Sequence, residues 1–184
     1  MSLQSKRILV TGATGFIGRR LALRLAQEEG AQVTGASRRA ELAGPLLDAG
    51  LAYRALDMAH FEEIEQALEG QDVVFNLAVA SGTSSEEMAR RVNVEAVEHL
   101  VRKAAELGVG RVVHFSSMAA YGPPRAPQIS EDSPLDTEQD ARYGRTKALG
   151  DIRAQQAGLE VGQQVTIIRP GQVFGPRGRS WTVN

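Results

Sequence analysis

The sequence predicts an α/β protein, a doubly wound parallel sheet with helices on both faces. Three observations carry that expectation. Short apolar runs alternate with longer stretches of helical period along all 184 residues. The run at 72–77 is continuously apolar at its centre, as in a strand covered on both faces. The first run, Ile8-Leu9-Val10, passes directly into Thr11-Gly12-Ala13-Thr14-Gly15-Phe16-Ile17-Gly18. That is the layout of a strand, a tight turn and a helix.

Taken in order, residues 7–10 form the first strand. A helix follows over about 16–29, with Ile17, Leu21 and Leu25 on one face and Gly30 as its stop. Strands are expected at 32–36 and 51–56, a short helix at 61–68 and the fourth strand at 72–77. A long helix spans about 85–107, where Val97, Leu100, Val101 and Ala104 form a stripe and Gly108 follows. Residues 111–116 make strand five, 143–158 a helix and 164–169 strand six. No internal repeat or low-complexity tract interrupts this alternation. The Pro-rich stretch 122–134 is the longest irregular connection, and such loops in compact domains are often active-site elements.

Composition narrows the function classes. The length suits one domain with its own core. A formal net charge of −1 gives no ground for nucleic acid or a membrane surface as partner. No apolar run reaches the roughly 18 residues of a membrane span. Residues 1–6 lead straight into a strand, so no signal peptide is expected, and a cytoplasmic location is the default. The absence of cysteine removes disulfides, thiolate metal sites and cysteine nucleophiles. His60, His99 and His114 are widely spaced, so no metal site is expected. His114, inside an apolar strand, reads as a packed core residue.

The glycine segment carries the first chemistry. A helix N-terminus offers unpaired N–H groups and the positive end of the dipole, complementary to a diphosphate. Gly12 permits the tight turn, Gly15 lets backbone approach the pyrophosphate, and Gly18 lets helix and strand pack closely. Thr14, Phe16 and Ile17 belong to the same candidate cofactor-binding loop. The G-x-x-G-x-x-G spacing differs from the G-x-G-x-x-G fingerprint of other dehydrogenases. It resembles the short-chain dehydrogenase/reductase superfamily, and TGATGFIG is similar to its extended branch, the NAD(P)-dependent epimerase/dehydratase family. That resemblance implies a Rossmann-like fold and a nicotinamide cofactor.

The end of strand two reads the adenosine ribose in such proteins. An acid there selects NAD, whereas a small residue beside arginine favours NADP. The position falls at Ser37, followed by Arg38 and Arg39, whose guanidinium forks suit a phosphate. NADP is therefore the expected cofactor, with NAD as the alternative. The plainer reading makes both arginines ordinary solvated charges. Asp57-Met58 matches the family's adenine-contacting acid at the end of strand three, although Asp57 alone reads as a turn aspartate. Asn76-Leu77-Ala78-Val79-Ala80 resembles the family's N-x-A-A segment, which places Leu77, Ala78 and Val79 near the cofactor.

Tyr143 and Lys147 stand one helical turn apart on one face. A free tyrosine has a pKa of about 10, and a nearby ammonium favours its phenolate. In the superfamily this lysine also holds the nicotinamide ribose, and the tyrosine exchanges a proton with the substrate as hydride moves. The run His114-Phe115-Ser116-Ser117-Met118-Ala119-Ala120-Tyr121-Gly122 resembles the family's S-S-x-x-x-Y-G segment. That match assigns Ser117 as hydrogen-bond donor to the substrate oxygen. Ser116, one residue earlier, faces the other way if the strand continues. Both serines could instead satisfy backbone groups in a turn. Tyr121 lines the substrate pocket or packs under the loop. In the matching segment Arg169-Pro170-Gly171-Gln172-Val173, Arg169 reads as structural, and Pro170 to Val173 would meet the cofactor through backbone.

The resemblance runs from Ile8 to Pro176. It departs at Asn93-Val94-Glu95-Ala96-Val97, where the family usually has N-V-x-G-T. It implies a dinucleotide-binding domain with the catalytic residues over 1–176 and the start of a substrate lobe at 177–184, so this chain alone is expected to turn over little. It also implies a small-molecule substrate, a nucleotide sugar among the candidates, and a homodimer through the helices at 85–107 and 143–158. Three functions fit: a reductase or dehydrogenase, a nucleotide-sugar epimerase, and a non-catalytic dinucleotide-binding protein. Met118 and Ala119 occupy the positions where the family's dehydratases carry an Asp-Glu pair, so elimination lacks its acid and base.

Overall fold

The computed structural model describes residues 2–80, 83–123 and 128–176. At its centre β1 (Arg7–Thr11) lies between β2 (Gln32–Ser37) and β4 (Val73–Asn76) in a six-stranded parallel sheet. Outside β2 comes β3 (Ala52–Ala55); beyond β4 come β5 (Arg111–Phe115) and β6 (Val165–Ile168). The strand order is thus 3-2-1-4-5-6. The chain reverses its direction of progress between β1 and β4, and in such sheets ligands bind at the carboxyl ends of the strands at that switch point. Thr11 is level with Ala36 and Asn76 there.

Alternation along β1 sends its side chains to two cores. Ile8 and Val10 join Ala22 and Leu25 of α1 (Phe16–Gln27), Val33, and Leu46 of α2 (Gly44–Leu47). Leu9 joins Val74, Val112 and Ile64 of α3 (Phe61–Leu68) on the opposite face. Val97, Leu100, Val101 and Ala104, the expected stripe, complete that second core, so a dimer through this helix would have to use its other faces.

Expected and observed strands differ by at most one residue at each end, where pairing rather than hydrophobicity sets the limit. Two differences are larger. The segment 38–50, read without structure, contains a 3₁₀ turn (Ala40–Leu42) and α2, whose Leu46 is fully buried. The long helix is not uniform: α4 (Glu86–Arg90), capped by Ser85 accepting from Met88 N–H, runs through a π turn at Arg91–Glu95 into α5 (Ala96–Glu106). The π turn faces α6 (Arg142–Val161), where a Cβ on Gly150 would collide with the Asn93 carbonyl oxygen. α6 also outruns its expected bounds and stops at Gly162, in the left-handed region with φ 71°. Within the Pro-rich loop, 124–127 lie outside the described residues, as does the whole of 177–184.

Candidate functional site

The three glycines of the first turn differ in what they do. Gly12 has φ +66°, and a Cβ there would stand 2.8 Å from the Leu77 carbonyl carbon and oxygen. A Cβ on Gly18 would collide with the Gly12 carbonyl oxygen. Gly15, in contrast, has an ordinary extended conformation (φ −76°, ψ 175°), and its added Cβ would meet only the Gly12 oxygen at 3.1 Å. Internal packing demands a glycine at 12 and 18 far more than at 15. The first helical bond of α1 runs from Arg19 N–H to Gly15 C=O, and no side chain caps the helix. The N–H groups of Phe16, Ile17 and Gly18 therefore have no intrahelical partner. These features fit an anionic diphosphate.

Around this turn the structure gathers most of the expected binding residues. Thr14 donates to Ser37 Oγ at 2.9 Å, and Tyr53 Oη donates to the Ser37 carbonyl at 2.8 Å, which fixes the end of β2 beside the loop. Arg38 and Arg39 are exposed and have no side-chain hydrogen bond or ion pair among the described residues. Asp57 Oδ1 accepts from Ala59 N–H, the turn role read from sequence, and the Met58 side chain is buried in the core. Leu77 and Ala78 donate their N–H groups to Thr11 Oγ1, so the β4 end is tied to the β1 end. Val79 next to them is exposed. Pro170 accepts from Met118 N–H through its carbonyl, and Val173 is half-buried.

The second group lies on α6 and the β5 end. Ser117 caps a 3₁₀ turn (Met118–Tyr121), its Oγ accepting from Ala119 N–H at 3.2 Å. Gly144 lets α6 pack on this turn, since a Cβ there would meet the Ala119 oxygen at 2.5 Å and collide with Gln139 Oε1. The residue after Tyr143 thereby brings the tyrosine-bearing turn of the helix onto the turn that holds Ser117. Tyr143 is 41% exposed, whereas Lys147, one turn on, is 2% exposed. Lys147 Nζ donates to the Phe115 carbonyl at 2.7 Å. Burial lowers the Lys147 pKa to about 8, against the opposing pull of Asp151.

Lys147 gives the fold a pH signature. Between about 8 and the ordinary lysine value near 10.4, the unfolded chain keeps a proton that the folded chain has released. Below about 8 the penalty of the buried charge is fully present; above it, stability rises with pH, by at most about 1.4 kcal/mol per unit. Denaturant unfolding across this range should show the rise, and Lys147→Met should flatten it. An equal slope in both proteins would assign the effect elsewhere.

Sequence reasoning missed Asp151, met Asn93 only as the start of a segment that departs from the family's pattern, and left Arg169 merely structural. Asp151 is fully buried and accepts from Arg169 Nε at 2.8 Å; Arg169 Nη1 also donates to Tyr121 Oη at 2.8 Å. Burial pushes the Asp151 carboxyl up, and the Arg169 bond and the Ser116 hydroxyl oppose it. Asn93 Oδ1 accepts from Ala80 N–H and its Nδ2 donates to Thr146 Oγ1, joining the β4 end to α6. A carboxylate one turn beyond a lysine on a buried helix face was the available signal for Asp151. Cavities of about 370 and 310 Å³ flank Tyr121, the first lined by Leu135, Asp136 and Glu138, the second by Met118, Ile168 and Arg169. Among the described residues no group of three or more His, Cys, Asp or Glu side chains could hold a metal ion, and no helix is long and apolar enough to cross a membrane.

The family model described as the NAD dependent epimerase/dehydratase family matches residues 8–182. A dTDP-4-dehydro-6-deoxy-D-allose reductase of Streptomyces bikiniensis is 29% identical over 93% of this chain and 57% of its own length. A UDP-glucose 4-epimerase of Vibrio cholerae is 28% identical over 93% of this chain and 53% of its own. The chain spans about half the length of the curated relatives it matches. Among solved structures, a short-chain dehydrogenase/reductase superfamily protein from Agrobacterium tumefaciens with bound NAD aligns with TM-score 0.78 and 26% identity, over 89% of this chain and 48% of that one. A UDP-glucuronic acid 4-epimerase from Bacillus cereus shares the fold with TM-score 0.82 at 24% identity, over 94% and 58%.

Proposed function

The chain belongs to the NAD-dependent epimerase/dehydratase family, and from that premise we propose that it serves an NAD(P)-dependent oxidoreductase acting at a hydroxyl or carbonyl carbon, with Tyr143 as acid and base. One observation carries the reading. A fully buried lysine, rare in any protein, lies one helical turn from an exposed tyrosine, on a helix packed against the turn that holds Ser117. Its relatives include both reductases and epimerases.

The uncapped N–H groups of Phe16, Ile17 and Gly18 would hold the diphosphate, with Gly15 leaving it room. Lys147 would hold the nicotinamide ribose, and Leu77, Ala78, Val79, Pro170 and Val173 would border it. Asp57 and Met58 would border the adenine. The bound dinucleotide supplies the hydride donor or acceptor. Ser117 Oγ accepts from Ala119 N–H, which leaves its own proton for a substrate oxygen. Tyr143, exposed beside it, gives that oxygen a proton or takes one. That proton transfer would accompany the interconversion of alcohol and carbonyl at the substrate carbon, for which the dinucleotide would give or take the hydride.

NADP is the favoured cofactor. No carboxylate stands at Ser37 to accept from the ribose hydroxyls, and the exposed Arg38 and Arg39, which have no partner among the described residues, can meet a 2′-phosphate. A charge-assisted contact of about 1.5–3 kcal/mol corresponds to roughly 10- to 100-fold tighter binding of NADP than NAD. Calorimetric titration with both dinucleotides checks this, and equal dissociation constants would leave the arginines as surface charge. The second reading, a nucleotide-sugar epimerase, draws on relatives such as the Vibrio enzyme. Identifying the dinucleotide that co-purifies with the whole protein, and asking whether NADPH is consumed in proportion to substrate, tests the proposal. An epimerase returns its hydride and consumes none.

A further inference from the structure

A buried chain of polar side chains crosses the sheet behind the proposed catalytic helix, and its hydrogen bonds have a direction. Thr11 Oγ1 accepts from the N–H groups of Leu77 and Ala78, both at 3.1 Å. Its lone pairs are then engaged, so its own proton goes to Asn76 Oδ1 at 2.7 Å. That orientation leaves the Asn76 amide nitrogen to donate to His114 Nδ1 at 3.1 Å. Since Nδ1 accepts, the proton of the neutral His114 ring is on Nε2. Nε2 faces Asp151 Oδ1 at 3.7 Å, too far for a hydrogen bond, and both atoms are buried; the buried Ser116 hydroxyl also lies against the Asp151 carboxyl and favours its charged form, without supplying a counter-charge. The other oxygen of Asp151 accepts from Arg169.

This arrangement limits what can balance Asp151 Oδ1. His114 can become a cation only by losing its bond from Asn76, and burial together with the neighbouring Lys147 charge holds its pKa well below the ordinary imidazole value. Among the described residues, the charged and titratable groups that act on Lys147 are Asp151 on its own helix and His114 on β5, with Tyr143 one turn away and Arg169 beyond β6 bound to Asp151. Asp151 supplies the negative charge among them, and Arg169 occupies one of its two oxygens. We infer that Asp151 is a positioning residue whose second oxygen keeps Lys147 in its ammonium form, with the Arg169 bond holding the carboxylate in place and the chain from Thr11 through Asn76 leaving His114 neutral beside it. The inference rests on the reading of Lys147 as the residue that holds the cofactor ribose. It gives a purpose to a carboxylate that would otherwise be buried at a cost only to meet Arg169.

The test is the pH profile of dinucleotide affinity, read by calorimetric titration with NADP and NAD. In the unsubstituted protein, affinity falls as the pH passes about 8, where Lys147 loses its proton. Asp151→Asn keeps the shape and the acceptor for Arg169 but removes the charge. The midpoint should move down by about one pH unit or more, with affinity unchanged near pH 6 and roughly tenfold weaker near pH 8. Superimposable profiles would overturn the inference and leave Asp151 as a partner of Arg169 alone. Lys147→Met tests the underlying reading separately: if that variant binds as tightly as the unsubstituted protein at every pH, Lys147 is no ribose anchor, whatever Asp151 does. Should Asp151→Asn not fold, the double variant Lys147→Met/Asp151→Asn decides. It folds if the harm came from an unbalanced Lys147 charge, and its failure to fold would overturn the inference. Nitrogen-15 shifts of His114 should show the Nε2–H tautomer; an Nδ1–H ring would overturn the direction of the chain.

Discussion

Gly15→Val is expected to keep the fold and lose dinucleotide binding by about 10²- to 10⁴-fold. The expectation comes from the difference among the three glycines. Gly15 has an extended backbone that any residue adopts, and an added Cβ meets one carbonyl oxygen at 3.1 Å, a contact relieved by a shift of a few tenths of an ångström. The branched side chain would instead enter the space in front of the uncapped N–H groups of α1. Losing about two charge-assisted hydrogen bonds to a phosphate, each worth about 1.5–3 kcal/mol, gives that range of affinity. Gly18→Ala is the contrast. Its Cβ collides with the backbone of Gly12, so helix and strand must part and the melting temperature should fall. Calorimetric titration and thermal unfolding of the two variants separate the effects. Unchanged affinity in Gly15→Val would remove the diphosphate from this turn.

Tyr143→Phe is expected to lower turnover by about 10²- to 10⁴-fold, the usual contribution of a general acid or base. Dinucleotide affinity should stay within a few-fold, because Lys147 and the α1 amides are untouched. Lys147→Ala should weaken both turnover and affinity. The assay requires the whole protein and a verified substrate. Tyr143 is exposed, so loss of its hydroxyl leaves no buried group unpaired and the fold should be indifferent. If Tyr143→Phe kept near-full turnover, the acid would have to be sought elsewhere, first at Ser117.

Where a feature is carried by residues close together in the chain, the sequence was a good guide to it. The turn from Thr11 to Gly18 is continuous, and its strand and helix are set by local hydrophobic period and backbone freedom. Tyr143 and Lys147 share a face because a helix has 3.6 residues per turn. The parallel sheet followed from alternation of strand and helix, with right-handed crossovers leaving few topologies. The bounds of β3, β4 and β6 were each read one residue too long at both ends, since a strand stops where its pairing stops and not where its apolar run stops.

The π turn at Arg91–Glu95 had no local signal. It belongs to the place where α6 crosses close enough that Gly150 nearly touches the Asn93 carbonyl, and no periodicity within 85–107 encodes that meeting. The same holds for the packing of the Tyr143 turn of α6 on the turn that holds Ser117, which depends on Gly144 resting against Ala119, and for Asp151, Arg169 and Tyr121, which come from three separate segments. By itself the sequence determined the glycine turn, the lysine–tyrosine spacing and the α/β class, because covalent geometry and local burial suffice for those. Only the tertiary structure decided how deeply Lys147 and Asp151 are buried and which way the protons of Thr11, Asn76 and His114 point, because desolvation and hydrogen-bond direction depend on neighbours that the chain brings together only when it folds.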